Sequence, residues 1–137
     1  MGDFSTFLVK KYQHWQVKVH SNQGYLGRCL VLGKRKGALD LTDATVDERE
    51  ELFMILKKLR EATAKAFQPD WFNYAFLGNE ERHLHGHFIP RYASPRQFAN
   101  LTFTDPRWGQ NYQTDKNFIT PPEVLEAVRI KLKDVVG

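Results

Sequence analysis

Cysteine is nearly missing from this 137-residue chain: Cys29 stands alone, so no internal disulfide can form. A reducing cytoplasm is the expected setting. No apolar run approaches the roughly 18–20 residues that span a bilayer, which excludes a membrane role. Met1-Gly2-Asp3-Phe4 lacks a cationic stretch followed by an apolar core, so no secretory leader is expected. Repeats, low-complexity tracts and Gly/Ser linkers are missing too, and the length suits one domain over residues 1–137. What is present is an ordinary globular balance, 42% apolar and 26% charged, which argues against disorder.

The charge is uneven. Seven Lys/Arg (10, 11, 18, 28, 34, 35, 36) face only Asp3 and Asp40 in residues 1–40, and the rest of the chain is close to neutral. This basic stretch lacks interleaved aromatics, so nucleic acid is not the expected partner. Histidine is uneven as well, with three of five falling between positions 83 and 87.

Period-2 alternation over Trp15–His20 predicts a strand, with Trp15 and Val17 as core residues and His14 and His20 as surface positions at its ends. Ser21-Asn22-Gln23-Gly24 is turn chemistry, Gly27–Leu32 is a second strand, and Gly33–Gly37 is an exposed basic loop. Thr45-Val46-Asp47-Glu48 is a capping box. It opens a helix over 46–67 whose apolar face runs through Leu52, Leu56, Leu59, Thr63 and Phe67, joined by Phe53 and Ile55.

Trp71–Leu77 and His83–Tyr92 read as antiparallel strands, because Gly78-Asn79-Glu80-Glu81 is too short for a crossover. Residues 93–120 form an irregular excursion in which Trp108 and Tyr112 pack or cap. A last helix covers about 121–134, opened by Thr120-Pro121-Pro122-Glu123. The order predicts an α+β fold, an antiparallel sheet with one long central helix and a C-terminal helix.

His83-Leu84-His85-Gly86-His87 puts an imidazole at every second position of a strand, so all three share one face while Leu84 and Phe88 point to the core. Three readings follow. One is a solvated face. Another is a zinc site, although His83 and His87 stand about 13 Å apart at Cα, which disfavours a shared ion. The third is nucleophilic catalysis: a neutral imidazole attacks phosphorus, provided its other nitrogen is oriented and donors hold the phosphate oxygens.

His83 to Arg91 resembles the His-φ-His-φ-His-φ-φ motif of the histidine-triad (HIT) superfamily of nucleotide hydrolases and transferases. Pro90-Arg91 is similar to its dinucleoside polyphosphate hydrolase branch. The likeness runs through residues 12–92, including Tyr25–Leu32 and Asp40-Leu41.

The resemblance implies that His85 attacks the α-phosphate of a nucleotide and is transiently nucleotidylated. His83 and His87 would orient it, bind phosphate and assist the leaving group. It also implies a homodimer with a nucleotide substrate. No resident cofactor or metal is implied, beyond a divalent ion carried by a polyphosphate. A nucleotide-binding protein with little turnover and a zinc-binding protein are the alternatives.

The chain departs from the family pattern in three places. Arg28 stands where many relatives have a fourth histidine, and is expected either to clamp phosphate or to face outward. Gly86 replaces an apolar residue, leaving space beneath the triad or weakening the strand. The turn before the triad is short, with Asn79 as a substitute phosphate donor and Glu80 and Glu81 close by. Asn22 is the candidate for the ribose.

Overall fold

The computed structural model describes residues 7–37, 39–79 and 82–136. Glu80 and Glu81 lie outside the described residues, as does the Met1–Phe4 segment. The chain forms β1 (Leu8–Lys11), β2 (Trp15–Val19), β3 (Cys29–Gly33), α1 (Val46–Phe67), β4 (Trp71–Ala75), β5 (His85–Arg91), β6 (Arg96–Phe98), β7 (Leu101–Phe103) and α2 (Pro122–Val136). Five strands make one antiparallel sheet in the order β1-β2-β3-β5-β4. The α+β expectation holds.

Alternation along β2 sets the two faces. Trp15, Val17 and Val19 are buried, and Gln16, Lys18 and His20 lie on the opposite face. The same rule sends Leu84 and Phe88 into the core and keeps His85 and His87 off it. Helix α1 starts where its capping box predicts: the Glu48 amide donates to Thr45 Oγ1 at 3.2 Å, and the Thr45 amide donates to Glu48 Oε1 at 2.8 Å. It ends at Gln68, left-handed at φ 55°, just before Pro69. Leu52, Ile55, Leu59, Ala62, Thr63 and Phe67 bury against the sheet and α2. Phe53 departs from the expected face and is 71% exposed, because one residue past Leu52 the helix has turned away from the sheet.

Two segments differ from the sequence reading. Leu8–Lys11 is an edge strand whose single buried residue, Val9, is too little signal to reveal it. The excursion over 93–120 contains the β6–β7 hairpin, turned by Ala99 and Asn100 at φ 50° and 62°. No helix among the described residues is long and apolar enough to cross a membrane.

Gly86 leaves no empty space. A Cβ built there would stand 2.4 Å from Cε1 and Cζ of Phe76, whose ring covers the glycine on the core side. The volume that an apolar residue at 86 would fill is supplied by the neighbouring strand's end. Gly86→Val should therefore cost about 2–3 kcal/mol by overpacking. Much of that loss should vanish in a Phe76→Ala background. Urea unfolding of the four proteins checks it, and simple additivity would show that the ring is not the obstacle.

Candidate active site

The histidine row is built from both strands that flank it. β3 and β5 pair through Leu30↔His87 and Leu32↔His85, after which the ladder stops. His83 is therefore outside the continuous strand, against the expectation of one strand from 83 to 92. Its ring turns back onto β3, where Nε2 donates to the Gly33 carbonyl at 2.6 Å. The adjacent His83 carbonyl accepts from His85 Nδ1 at 2.6 Å. So His83 orients the central histidine through its main chain, not its imidazole.

These partners fix protons. A carbonyl oxygen only accepts, so His85 carries hydrogen on Nδ1, and its neutral form holds the in-plane lone pair on Nε2. The His87 ring lies 5.5 Å from it, centroid to centroid. Nη2 of Arg28 donates to His87 Nδ1 at 3.2 Å. A guanidinium has no acceptor, so His87 carries its hydrogen on Nε2. The row thus presents one nucleophilic nitrogen and one neutral donor side by side.

Of the two expectations for Arg28, the outward-facing one fails. It is 3% exposed, so it does not face outward, and both Nη atoms are engaged, Nη1 donating to Thr114 Oγ1 at 2.8 Å. Tyr112 lies under its guanidinium at 5.3 Å, which gives that aromatic a packing role. Gly27, at φ 89° and closed in by Phe67 and Pro90, makes the tight entry that turns Arg28 inward.

His20 is the residue the sequence reading set aside. It sits beside Arg28, its amide bonded to the Arg28 carbonyl at 3.0 Å, and its ring centroid is 5.8 Å from that of His87. Its Nδ1 accepts from the Asn22 amide, so its proton is also on Nε2. The β2 alternation already placed residue 20 on the triad face; only its nearness to His87 needed the folded sheet. His14, by contrast, lies at the far end of β2.

Asn22 is committed to its turn, Oδ1 accepting from Gly24 and Nδ2 donating to the Asp115 carbonyl. Asn79 is exposed in the loop after β4. Trp15 and Val17 are core residues at 1% exposure, as expected.

Burial first, then Arg28, then a histidine neighbour, hold two imidazoles neutral: His20 falls to about 3 with His87 as that neighbour, and His87 to about 4 with His85. Their folded values lie below the ordinary 6.5, so the unfolded chain takes up protons first on acidification. Stability should be full above about pH 6.5 and decline as the pH drops toward 4. Thermal melts across that range test it, and a flat profile would contradict the neutral pair.

A cavity of about 260 Å3 opens beside His83 and His85, walled by Asp40, Phe76, Gly78 and Arg82. A larger cleft of about 720 Å3 runs along edge strand β4 between Trp71 and Trp108, away from the row. Of these two, only the smaller is lined by histidines of the row. Among the described residues no three His, Cys, Asp or Glu side chains converge to hold a metal ion.

Comparison with known proteins agrees with this geometry. Residues 4–94 match the family model described as HIT domain. No curated protein matches the sequence. A histidine triad protein from Sinorhizobium meliloti superposes at TM-score 0.77 with 17% identity, covering 93% of this chain and 87% of its own. One from Bradyrhizobium japonicum gives 0.73 and 19%, covering 95% and 90%. A hypothetical histidine triad nucleotide-binding protein from Sulfolobus tokodaii gives 0.71 and 17%, covering 95% and 83%. At these identities the likeness is one of fold.

Proposed function

Because this chain belongs to the HIT family, which covers nucleotide-binding and hydrolase or transferase proteins, we propose that it cleaves a nucleoside phosphate derivative at the α-phosphate. The observation that carries this reading is the proton arrangement of the row. His85 Nδ1 is tied to a carbonyl, Nε2 is free, and a neutral His87 Nε2–H lies next to it.

The His85 Nε2 lone pair forms a P–N bond while the P–O bond to the leaving group breaks, its electron pair staying on that oxygen. The His87 donor steadies the oxyanion that develops. Water then attacks the phosphorus, the P–N bond breaks back onto Nε2, and the water's proton goes to solvent. A nucleoside monophosphate is released. The substrate class is a dinucleoside polyphosphate or phosphoramidate.

The residues proposed for the site are His85, His83 and His87, with Arg28 acting on His87; Asn22 and Asn79 stand only as outer contacts. The whole chain serves as one domain, working in the cytoplasm as a homodimer. Supporting the dimer, edge strand β4 has an open side, with Trp71 64% exposed and Tyr74 also on the surface. Supporting a reducing setting, Cys29 is buried and burial pushes its thiol up to about 12, which makes it inert.

Incubation with a panel of adenine and guanine dinucleotides and phosphoramidates, with acid-free quenching and intact mass measurement, tests the reading. A protein–nucleotide adduct and monophosphate product are expected. Calorimetric binding with product at background would replace it with a binding role.

A further inference from the structure

Arg28 is a buried cation with no stabilising explanation. It is 3% exposed, has no carboxylate within ion-pair distance among the described residues, and leaves Nε without a hydrogen-bond partner. Burying an unpaired charge and an orphan donor is costly. The fold nonetheless assembles a cage for it. Thr114 takes Nη1, Tyr112 lies beneath, and Gln23 holds its carbonyl through Nε2 at 2.8 Å. The product of that cage is a single directed contact, Nη2 on His87 Nδ1.

We propose that Arg28 sets the leaving-group specificity of the site, by holding His87 as a neutral Nε2–H donor that binds a departing oxyanion but cannot protonate a departing amine. This rests on the reading of His85 as nucleophile. The chemistry is as follows. When the P–O bond of a phosphoanhydride breaks, the leaving phosphate keeps the electron pair and departs as an anion, needing only a hydrogen bond. When the P–N bond of a phosphoramidate breaks, the amine must gain a proton as it leaves. His87 can give up Nε2–H only by becoming an imidazolate, since Nδ1 faces a guanidinium and carries no second proton. Arg28 therefore selects phosphoanhydrides.

The charged and titratable groups around His87 agree. His85 on the same strand uses Nδ1–H on a carbonyl, and His20, just past β2, is held neutral with Nδ1 accepting from Asn22. Arg28 itself comes from the residue before β3, and the segment behind it contributes Tyr112, with Tyr25 in edge contact. The low value of His87, about 4, extends the neutral form across physiological pH. None of these groups supplies an acid in place of His87. Arg28 acts through another side chain and is a positioning residue.

The experiment compares an adenosine dinucleoside polyphosphate with an adenosine phosphoramidate of a simple alkylamine, in wild type, Arg28→Met and Arg28→Lys. Wild type should favour the anhydride by about 100-fold or more in kcat/KM. Arg28→Met should narrow that ratio at least about tenfold, because Nδ1 of His87 then no longer faces a guanidinium and can take a second proton, although burial still holds its value below the ordinary one. Arg28→Lys keeps a cation and a donor, and should retain most of the preference.

Nitrogen-15 spectra of the histidine rings read the tautomer directly and need no turnover. His87 should be Nε2–H from pH 5 to 8 in wild type, and a mixture of Nδ1–H and Nε2–H tautomers in Arg28→Met. An unchanged His87 spectrum in Arg28→Met overturns the proposal, as does a wild type that prefers the phosphoramidate. If neither compound is turned over, the hydrolase reading and the specificity both fall, while the spectra still decide whether Arg28 fixes His87. Should Arg28→Met not fold, the ratio and spectra of Arg28→Lys carry the test, and loss of both in that cation-bearing variant overturns it.

Discussion

Replacing His85 with alanine should abolish the protein–nucleotide adduct and lower turnover by on the order of 10^3-fold or more. In the proposed mechanism His85 is the one group whose loss no neighbour can cover. His87 presents a hydrogen on Nε2, and His83 turns its Nε2 onto the Gly33 carbonyl. Neither offers a free lone pair toward a phosphorus held at His85. The fold should survive, because the half-buried imidazole makes its one hydrogen bond to a local carbonyl. The melting temperature is expected to stay within a few degrees, about 1 kcal/mol or less. Intact mass after incubation with substrate reads the adduct, and a quenched assay reads the rate. An alanine variant that still forms the adduct would move the nucleophile elsewhere.

Asp105→Ala should be the most damaging change away from the histidines, costing about 3–5 kcal/mol and on the order of 10–20 °C in melting temperature. Asp105 and Arg91 form a pair at 2.7 Å with side chains 1% and 3% exposed. Arg91 also donates from Nη1 to Asn73 Oδ1 and the Gln110 carbonyl, and from Nη2 to the Arg107 carbonyl. Asp105 accepts in turn from the amides of Tyr92 and Arg107.

Removing the carboxylate strands a buried guanidinium and releases the segment that carries Tyr112 and Thr114 over Arg28. Activity should drop with stability, and Arg91 should prove a strap for that segment, not a contact of the substrate. Burial alone raises the Asp105 carboxyl, but hydrogen bonds from Arg91, Tyr92 and Arg107 outweigh it and hold it below the usual carboxylate range. Its contribution is therefore full above about pH 4 and lost as the pH falls through the lower folded value. Denaturant curves at pH 7 and pH 3 distinguish the two forms. A variant with unchanged stability at pH 7 would sink this account.

Most of the scaffold was legible because its signals are local. Thr45 and Glu48 cap a helix by contacts three residues apart, and Trp15, Val17 and Val19 declare a face by alternation alone. The histidine row was legible for the same reason, since spacing of two puts His85 and His87 on one face whatever surrounds them. Its family likeness added the roles proposed for those residues.

What spacing could not carry was anything closed across the chain. His20 looked like a strand end until β3 and β5 brought it within 5.8 Å of His87. Gly86 looked like a gap until Phe76 covered it. Arg28 had two readings, clamp or surface, and neither included a segment 86 positions away supplying Thr114 to bury it.

The sequence by itself determined the two helices, the central strands, the buried face and the histidine row, because propensity, periodicity and capping act within a turn or two of helix or strand. The tertiary structure decided which nitrogen of His83 and of His87 bears the proton, because their partners, the Gly33 carbonyl and the Arg28 guanidinium, come from 50 or more positions away. In the proposed mechanism, those protons turn a row of histidines into a nucleophile, a donor and a preference among leaving groups.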